Sequence, residues 1–171
     1  MVRIAVLSDT HGYLDSKIWK YLKEVDEIWH AGDIGSIEVI DQLKSIKPLR
    51  AVYGNIDDSK IRTEFKEDYY FQIEQKKVLI THIAGRPYRY AKTLIPKLEK
   101  YTPDILVCGH SHTLLVQFDK KWNVLWLNPG ACGYKGFHLM KTLLRFKIDG
   151  GKVIDMEAIE IGPRVGNNQI I

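Results

Sequence analysis

Cysteine is scarce: Cys108 and Cys132 are the only two in 171 residues, and neither has a C-x-x-C partner. That argues against a disulfide framework. Long apolar runs are also missing, with no stretch near the roughly 18 residues needed to span a bilayer. The chain opens on a short strand-like segment and lacks the basic, long apolar and small-residue plan of a signal peptide. The expectation is a cytoplasmic protein with no membrane partner. There is no internal repeat and no low-complexity segment. A basic track is absent too: net charge is +4, but Lys and Arg are interleaved with acids, as in KYLKE and PKLEKY. This argues against nucleic-acid partners beyond small nucleotides and licenses only a mild attraction for phosphorylated ligands.

What is present fits one globular domain. Hydrophobic residues make up 45% and charged residues 27%, and the length suits a single packed core. We expect that domain over residues 1–162, followed by a flexible Gly- and Asn-rich tail over 163–171. The first half alternates strands (2–8, 27–30, 49–53) with helical stretches (17–24, and 37–46 capped by Ser36), a βαβαβ pattern that predicts a parallel, buried sheet. The second half reads as a hairpin (69–73 and 77–81, turning at Gln75–Lys76), a helix between Tyr88 and Tyr101 with Pro96 as an objection, and strands at 105–108, 113–118 and 123–127. A last hairpin pairs 139–148 with 152–161 around Asp149-Gly150-Gly151. Two sheets packed face to face with helices outside account for both halves.

The strands share one peculiarity: they run into side chains that bind metals. The first ends in Asp9 and His11 (SDTHG), the second in Gly32-Asp33 (HAGDIG) and the third in Gly54-Asn55 (VYGNID). Later ones end in His82 (LITHIAG) and in His110 and His112 (LVCGHSH). Ligands bind beyond the carboxyl ends of parallel strands, so residues dispersed in sequence can converge there. In extended backbone i and i+2 point the same way, which predicts that Asp9 and His11 face one target, as do His110 and His112. Gly32, Gly54 and Gly109 each precede a candidate ligand, where the expected need is freedom in φ. Seven ligands exceed what one ion takes, so two ions are expected, and one carboxylate can bridge a pair roughly 3.5–4 Å apart. Imidazoles without thiolates disfavour an iron–sulfur cluster or pure Ca²⁺ or Mg²⁺ sites. They suit two divalent transition-metal ions, with Mn²⁺ foremost and Fe, Zn²⁺, Ni²⁺ or Co²⁺ open.

In these blocks the sequence resembles the calcineurin-like metallophosphoesterase superfamily, whose pattern runs D-x-H, G-D, G-N, a lone His, then G-H-x-H. The resemblance covers residues 2 to about 130. The small size and the NPGA turn at 128–131 are similar to the compact YfcE-type phosphodiesterase branch. The resemblance implies a four-layer α/β/β/α sandwich of two mixed sheets. It implies Asp9, His11, Asp33 and His112 at one metal and Asp33, Asn55, His82 and His110 at the other, with Asp33, Asn55 and His82 catalytic. The implied activity is hydrolysis of a small phosphodiester by a hydroxide held between two metals. The alternatives are a non-catalytic metal-binding scaffold of the same fold that acts through protein contacts, or a nuclease.

There are departures. Many members read G-N-H-(D/E), with the His thought to protonate the leaving group, whereas here Ile56 follows Asn55. Asp57 is weighed as a substitute acid, with a helix cap or turn acid as the preferred reading. Arg86 and Arg89 follow His82 and could reach phosphate, though surface decoration of the helix is preferred. His30 reads as a buried, hydrogen-bonded His, His138 as a structural or exposed residue in the late β segment, and Cys132 as a small packed residue. Asn128 and Gly130 are expected to shape the wall of the site.

Overall fold

The structure, a computed structural model, describes residues 1–165. Strand β1 (Val2–Leu7) leads through a 3₁₀ turn (Ser16–Ile18) into α1 (Trp19–Leu22), β2 (Glu27–His30), α2 (Ile37–Lys44), β3 (Leu49–Ala51) and α3 (Ser59–Glu64). Then come β4 (Asp68–Ile73), β5 (Lys76–Thr81), a short hairpin of β6 (Gly85–Arg86) and β7 (Arg89–Tyr90), and α4 (Leu94–Tyr101). The chain continues through β8 (Ile105–Val107), β9 (Leu114–Asp119), β10 (Val124–Pro129), β11 (Met140–Asp149) and β12 (Lys152–Pro163).

Two five-stranded sheets result, ordered β12-β11-β1-β2-β3 and β4-β5-β8-β10-β9. β1, β2 and β3 are parallel, as are β5, β8 and β10, while β11, β12, β4 and β9 pair antiparallel. Both sheets are therefore mixed, and the parallel strands bring the ends that carry the candidate ligands to one rim. The central strands are buried on both faces, which is why they read as unbroken apolar runs such as IAVL. Ile4, Val6, Trp29 and Phe146 of the first sheet pack against Val78, Ile80, Ile105 and Val107 of the second. The alternate residues Ala5, Leu7 and Ile28 face Ile18, Leu22, Ile40 and Leu43 from the helices outside. Leu79, Leu106 and Trp126 likewise meet Leu94 and Leu98 of α4. This is the four-layer α/β/β/α sandwich. Among the described residues, no helix is long and apolar enough to cross a membrane.

Several local expectations need correction. The 69–81 hairpin turns at Glu74-Gln75, one residue earlier than expected, with both residues in left-handed backbone at φ 46° and 65°. Pro96 does not break its helix: α4 begins at Leu94, so the proline sits in the first turn, where its missing N–H has no helical acceptor to lose. Helix α3 was not anticipated, because only Ile61 of its six residues is buried and no apolar period shows. Ser36 occupies the N-cap of α2, but its side chain makes no cap hydrogen bond. At the C-terminus β12 runs to Pro163, and Arg164 Nε donates to the His138 carbonyl at 2.9 Å. Residues 166–171 of the expected tail lie outside the described residues.

Non-glycine residues at both centres of a tight hairpin cost conformational energy. Gln75→Gly is expected to raise stability by about 0.5–1 kcal/mol, read as a shifted midpoint in urea denaturation.

Candidate metal centre

Backbone hydrogen bonds zip the loops at the rim together. The loop after β1 lies on the loop after β2, with the amides of Asp9, His11 and Gly12 donating to the carbonyls of Gly32, Asp33 and Ile34 at 3.0, 3.0 and 2.7 Å. Gly109 N donates to the His82 carbonyl at 3.0 Å, which ties the two loops of the second sheet. Of eleven non-glycine residues with positive φ among those described, five are Asp9, His11, Asp33, His110 and His112. Left-handed backbone at non-glycine residues is uphill and persists only where the surroundings enforce it, so its concentration here marks the functional end of the molecule.

Two clusters form. Ligand-capable atoms of Asp9, His11 and His112 lie within 4.8 Å of one another, and so do those of Asp33, His82 and His110. Asp33 faces both: Oδ1 is 3.2 Å from His82 Nε2, and Oδ2 is 3.7 Å from His11 Nε2. Asn55 Oδ1 joins the second cluster, 3.1 Å from His82 Nε2 and 3.0 Å from His110 Nδ1. All seven candidate side chains are thus at one rim. His110 and His112, however, belong to different clusters, contrary to the expectation that they face one target. Extended alternation does not apply to them, since both are left-handed at φ 66° and 56°.

The glycines also act differently than expected. Gly32 does have positive φ, at 95°, but Gly54 and Gly109 do not. What excludes a side chain is closeness. A Cβ on Gly54 would overlap Asp33 Oδ1, one on Gly109 would overlap Ser8 Oγ, and one on Gly32 would lie 2.7 Å from His82 Nδ1.

The donor set fits a bound cation. Asp9 Oδ1 and His11 Nε2 are buried with no hydrogen-bond partner, a rare condition that a bound ion would relieve. In the second cluster His82 Nδ1 donates to the Ala31 carbonyl at 2.7 Å, which turns Nε2 toward Asp33 Oδ1 and Asn55 Oδ1. A proton on Nε2 or a metal ion in its place satisfies these crowded atoms. Burial alone would lower the His82 pKa, but the hydrogen bond to Asp33 and the Asp9 and Asp33 charges outweigh it and hold the pKa above its ordinary value. Burial would raise the Asp33 pKa, and its bonds to His82 and the Ile56 amide hold it down. His11 is pushed down by burial. Cys108 and Cys132, both buried thiols pushed up to about 12, stand outside the clusters.

Other residues brace this constellation. Asp57 is 4% exposed and accepts from the amides of Gly54, Gly35 and Ile34 at 2.7, 2.7 and 3.1 Å. It latches the loop carrying Asp33 to the loop carrying Asn55, and its oxygens face amides, which removes it as a substitute acid. The helix cap is its neighbour Asp58. Arg62 Nε donates to the Asp57 carbonyl at 2.7 Å from the other side. His30 is fully buried, accepts at Nδ1 from Gly32 N and bonds Thr10 Oγ1 through Nε2, and burial lowers its pKa to about 4. Asn128 Nδ2 donates to the Gly109 carbonyl at 3.0 Å, and its Oδ1 accepts from Gly130 N, fixing the loop of His110 and His112.

His138 lies in the loop before β11, not in the strand, with its ring 5.2 Å from that of His112. No motif in the sequence marked it. Arg86 and Arg89 are exposed on the β6–β7 hairpin and line neither cleft beside the clusters.

Comparison with known proteins gives concordant matches. The family model described as the calcineurin-like phosphoesterase superfamily domain matches residues 2–151. A probable metallophosphoesterase of Methanocaldococcus jannaschii is 32% identical over 168 residues, covering 90% of this chain and 81% of that protein. In fold, the chain is similar to a protein described as a novel archaeal phosphodiesterase, with TM-score 0.72, 22% identity, and 92% and 99% of the two chains covered. It is also similar to wild-type Vps29 of Entamoeba histolytica complexed with Zn²⁺, with TM-score 0.71, 17% identity, and 94% and 99% covered.

Replacing Asp57 by Ala strips three amides of their acceptor. It is expected to cost about 3 kcal/mol of stability in chemical denaturation, the scale for buried donors left unpaired.

Proposed function

Because the chain belongs to the calcineurin-like phosphoesterase superfamily, we propose that it is a phosphodiesterase acting on small diesters with two divalent transition-metal ions. In this reading Asp9, His11, Asp33 and His112 hold one ion, and Asp33, Asn55, His82 and His110 hold the other. Mn²⁺ is the first candidate, with Fe, Zn²⁺, Ni²⁺ and Co²⁺ open. The observation that carries the reading is the placement of Asp33, whose two oxygens are divided between the clusters.

Such a pair of ions, when bound, brings the pKa of water toward about 7 and offsets charge on phosphoryl oxygens. The protein's own contribution is position and charge. Asn55 offers a neutral oxygen where a carboxylate would cancel more of the positive charge. The Ala31 carbonyl fixes the His82 ring so that Nε2 faces the cluster. Asp57, Arg62 and the tight glycines hold the loops, so little reorganisation is left for the reaction.

Among the described residues, neither position after Asn55 supplies a proton donor for the leaving group. Ile56, 45% exposed at the rim, stands where other members place a His, and Asp57 is turned to amides. The leaving group then departs unprotonated, and diesters of acidic alcohols are favoured.

A scaffold role, the reading that the Vps29 likeness brings to mind, rests on fold alone. The complete set of seven side chains favours an enzyme.

Two measurements test the proposal. Hydrolysis of bis(p-nitrophenyl) phosphate should need added Mn²⁺ or another divalent ion and stop with a chelator; metal bound without turnover would favour the scaffold. Across aryl diesters, the rate should fall steeply as leaving-group pKa rises, and Ile56→His should flatten that slope. A wild-type rate indifferent to leaving-group pKa refutes the missing-acid argument.

A further inference from the structure

The two clusters sit between two clefts of nearly equal size. One, of about 380 Å³, adjoins Asn55 and His82 and is walled by Tyr53, Arg62, Ile83 and Lys97. The other, of about 390 Å³, adjoins His110 and His112 and is walled by Thr113, Phe137 and His138. Asn55 of the first lining and His110 of the second are in contact, Oδ1 to Nδ1 at 3.0 Å. Each cleft is within the size range of small-ligand pockets. A phosphoryl group at the clusters would border both. A monoester has a single substituent to place, whereas a diester has two.

The linings say what kind of substituent fits. Among the described residues, two cations line the first cleft, and of these only Lys97 is paired with carboxylates. Lys97 Nζ is 2.7 Å from Asp68 Oδ1 and 3.9 Å from Glu67 Oε1. Arg62 spends its donors on the carbonyls of Asp57, Asn55 and Gly54 and lies 4.7 Å over the Tyr53 ring. Among the described residues, no Lys or Arg lines the second cleft. A further phosphate or carboxylate on the substrate would meet no such cation there. Apolar surface is available as well: the 40% exposed Ile83 on one side, and the fully exposed Phe137 on the other. Rings laid on such surfaces gain dispersion and stacking energy.

We infer that each cleft seats one of the two ester substituents of the substrate, that both are ring-sized, and that the one in the second cleft is uncharged. This rests on the phosphodiesterase reading above and narrows its substrate class.

The test uses binding, so it does not depend on turnover. Amide chemical shifts of the Zn²⁺-supplemented protein are followed on titration with dimethyl, methyl phenyl and diphenyl phosphate. Diphenyl phosphate should move resonances at both Ile83–Thr93 and Thr113–Phe137, and should bind about tenfold tighter than methyl phenyl phosphate. Phe137→Ala should erase that advantage and abolish the shifts around Thr113 while those near Ile83 persist. Ile83→Ala should weaken the opposite end. Diphenyl phosphate that perturbs one cleft or neither, or that binds no better than the methyl phenyl ester, overturns the inference. The phosphodiesterase reading stands or falls separately, on turnover of bis(p-nitrophenyl) phosphate.

Discussion

The rim of this molecule is organised around a carboxylate that must be shared. Asp33 is almost fully buried and has one oxygen in each of two imidazole clusters. Its backbone is left-handed, its Oδ1 leaves no room for a side chain on Gly54, and its amide neighbours are held by Asp57. A buried anion flanked by lone pairs is costly unless positive charge joins it. The surrounding loops can therefore be read as the means by which the fold keeps that anion in place until a cation arrives.

The cost is carried by the layers beneath. Strained, polar loops cannot stabilise themselves, but they hang from strands buried on both faces, between helices outside and the partner sheet inside. Parallel strands matter because they end together at one rim, so three loops from one sheet meet two from the other. His30 shows the coupling: as the last residue of β2 it is still core, yet both of its ring nitrogens bond to the loops beyond.

Much of this was legible in the sequence, for physical reasons. Buried strands announce themselves as short apolar runs, and polar ligands at their ends break that pattern abruptly, so the architecture and the seven rim residues could be named before their positions were known. Three things were not legible. Alternation would pair His110 with His112 as well as Asp9 with His11, but all four are left-handed and only Asp9 and His11 share a cluster. The closeness that requires Gly54 and Gly109 is a contact between distant loops, invisible in either segment. Asp57 looks like a turn acid because its partners Ile34 and Gly35 are more than twenty residues away. The local signals that did mislead, Pro96 and the glycine-free turn at Glu74-Gln75, were cases where position within the element decided the outcome.

The crowded glycines divide the rim into a part that is frozen and a part that is open to change. Under Gly32, Gly54 and Gly109 there is no space for even a methyl group without displacing a histidine, a carboxylate or a serine. The side chains of Ile56 and Phe137, by contrast, project into solvent. Descent with modification would then retune which molecules are accepted through the outer ring of side chains, while the floor passes unaltered from one variant to the next.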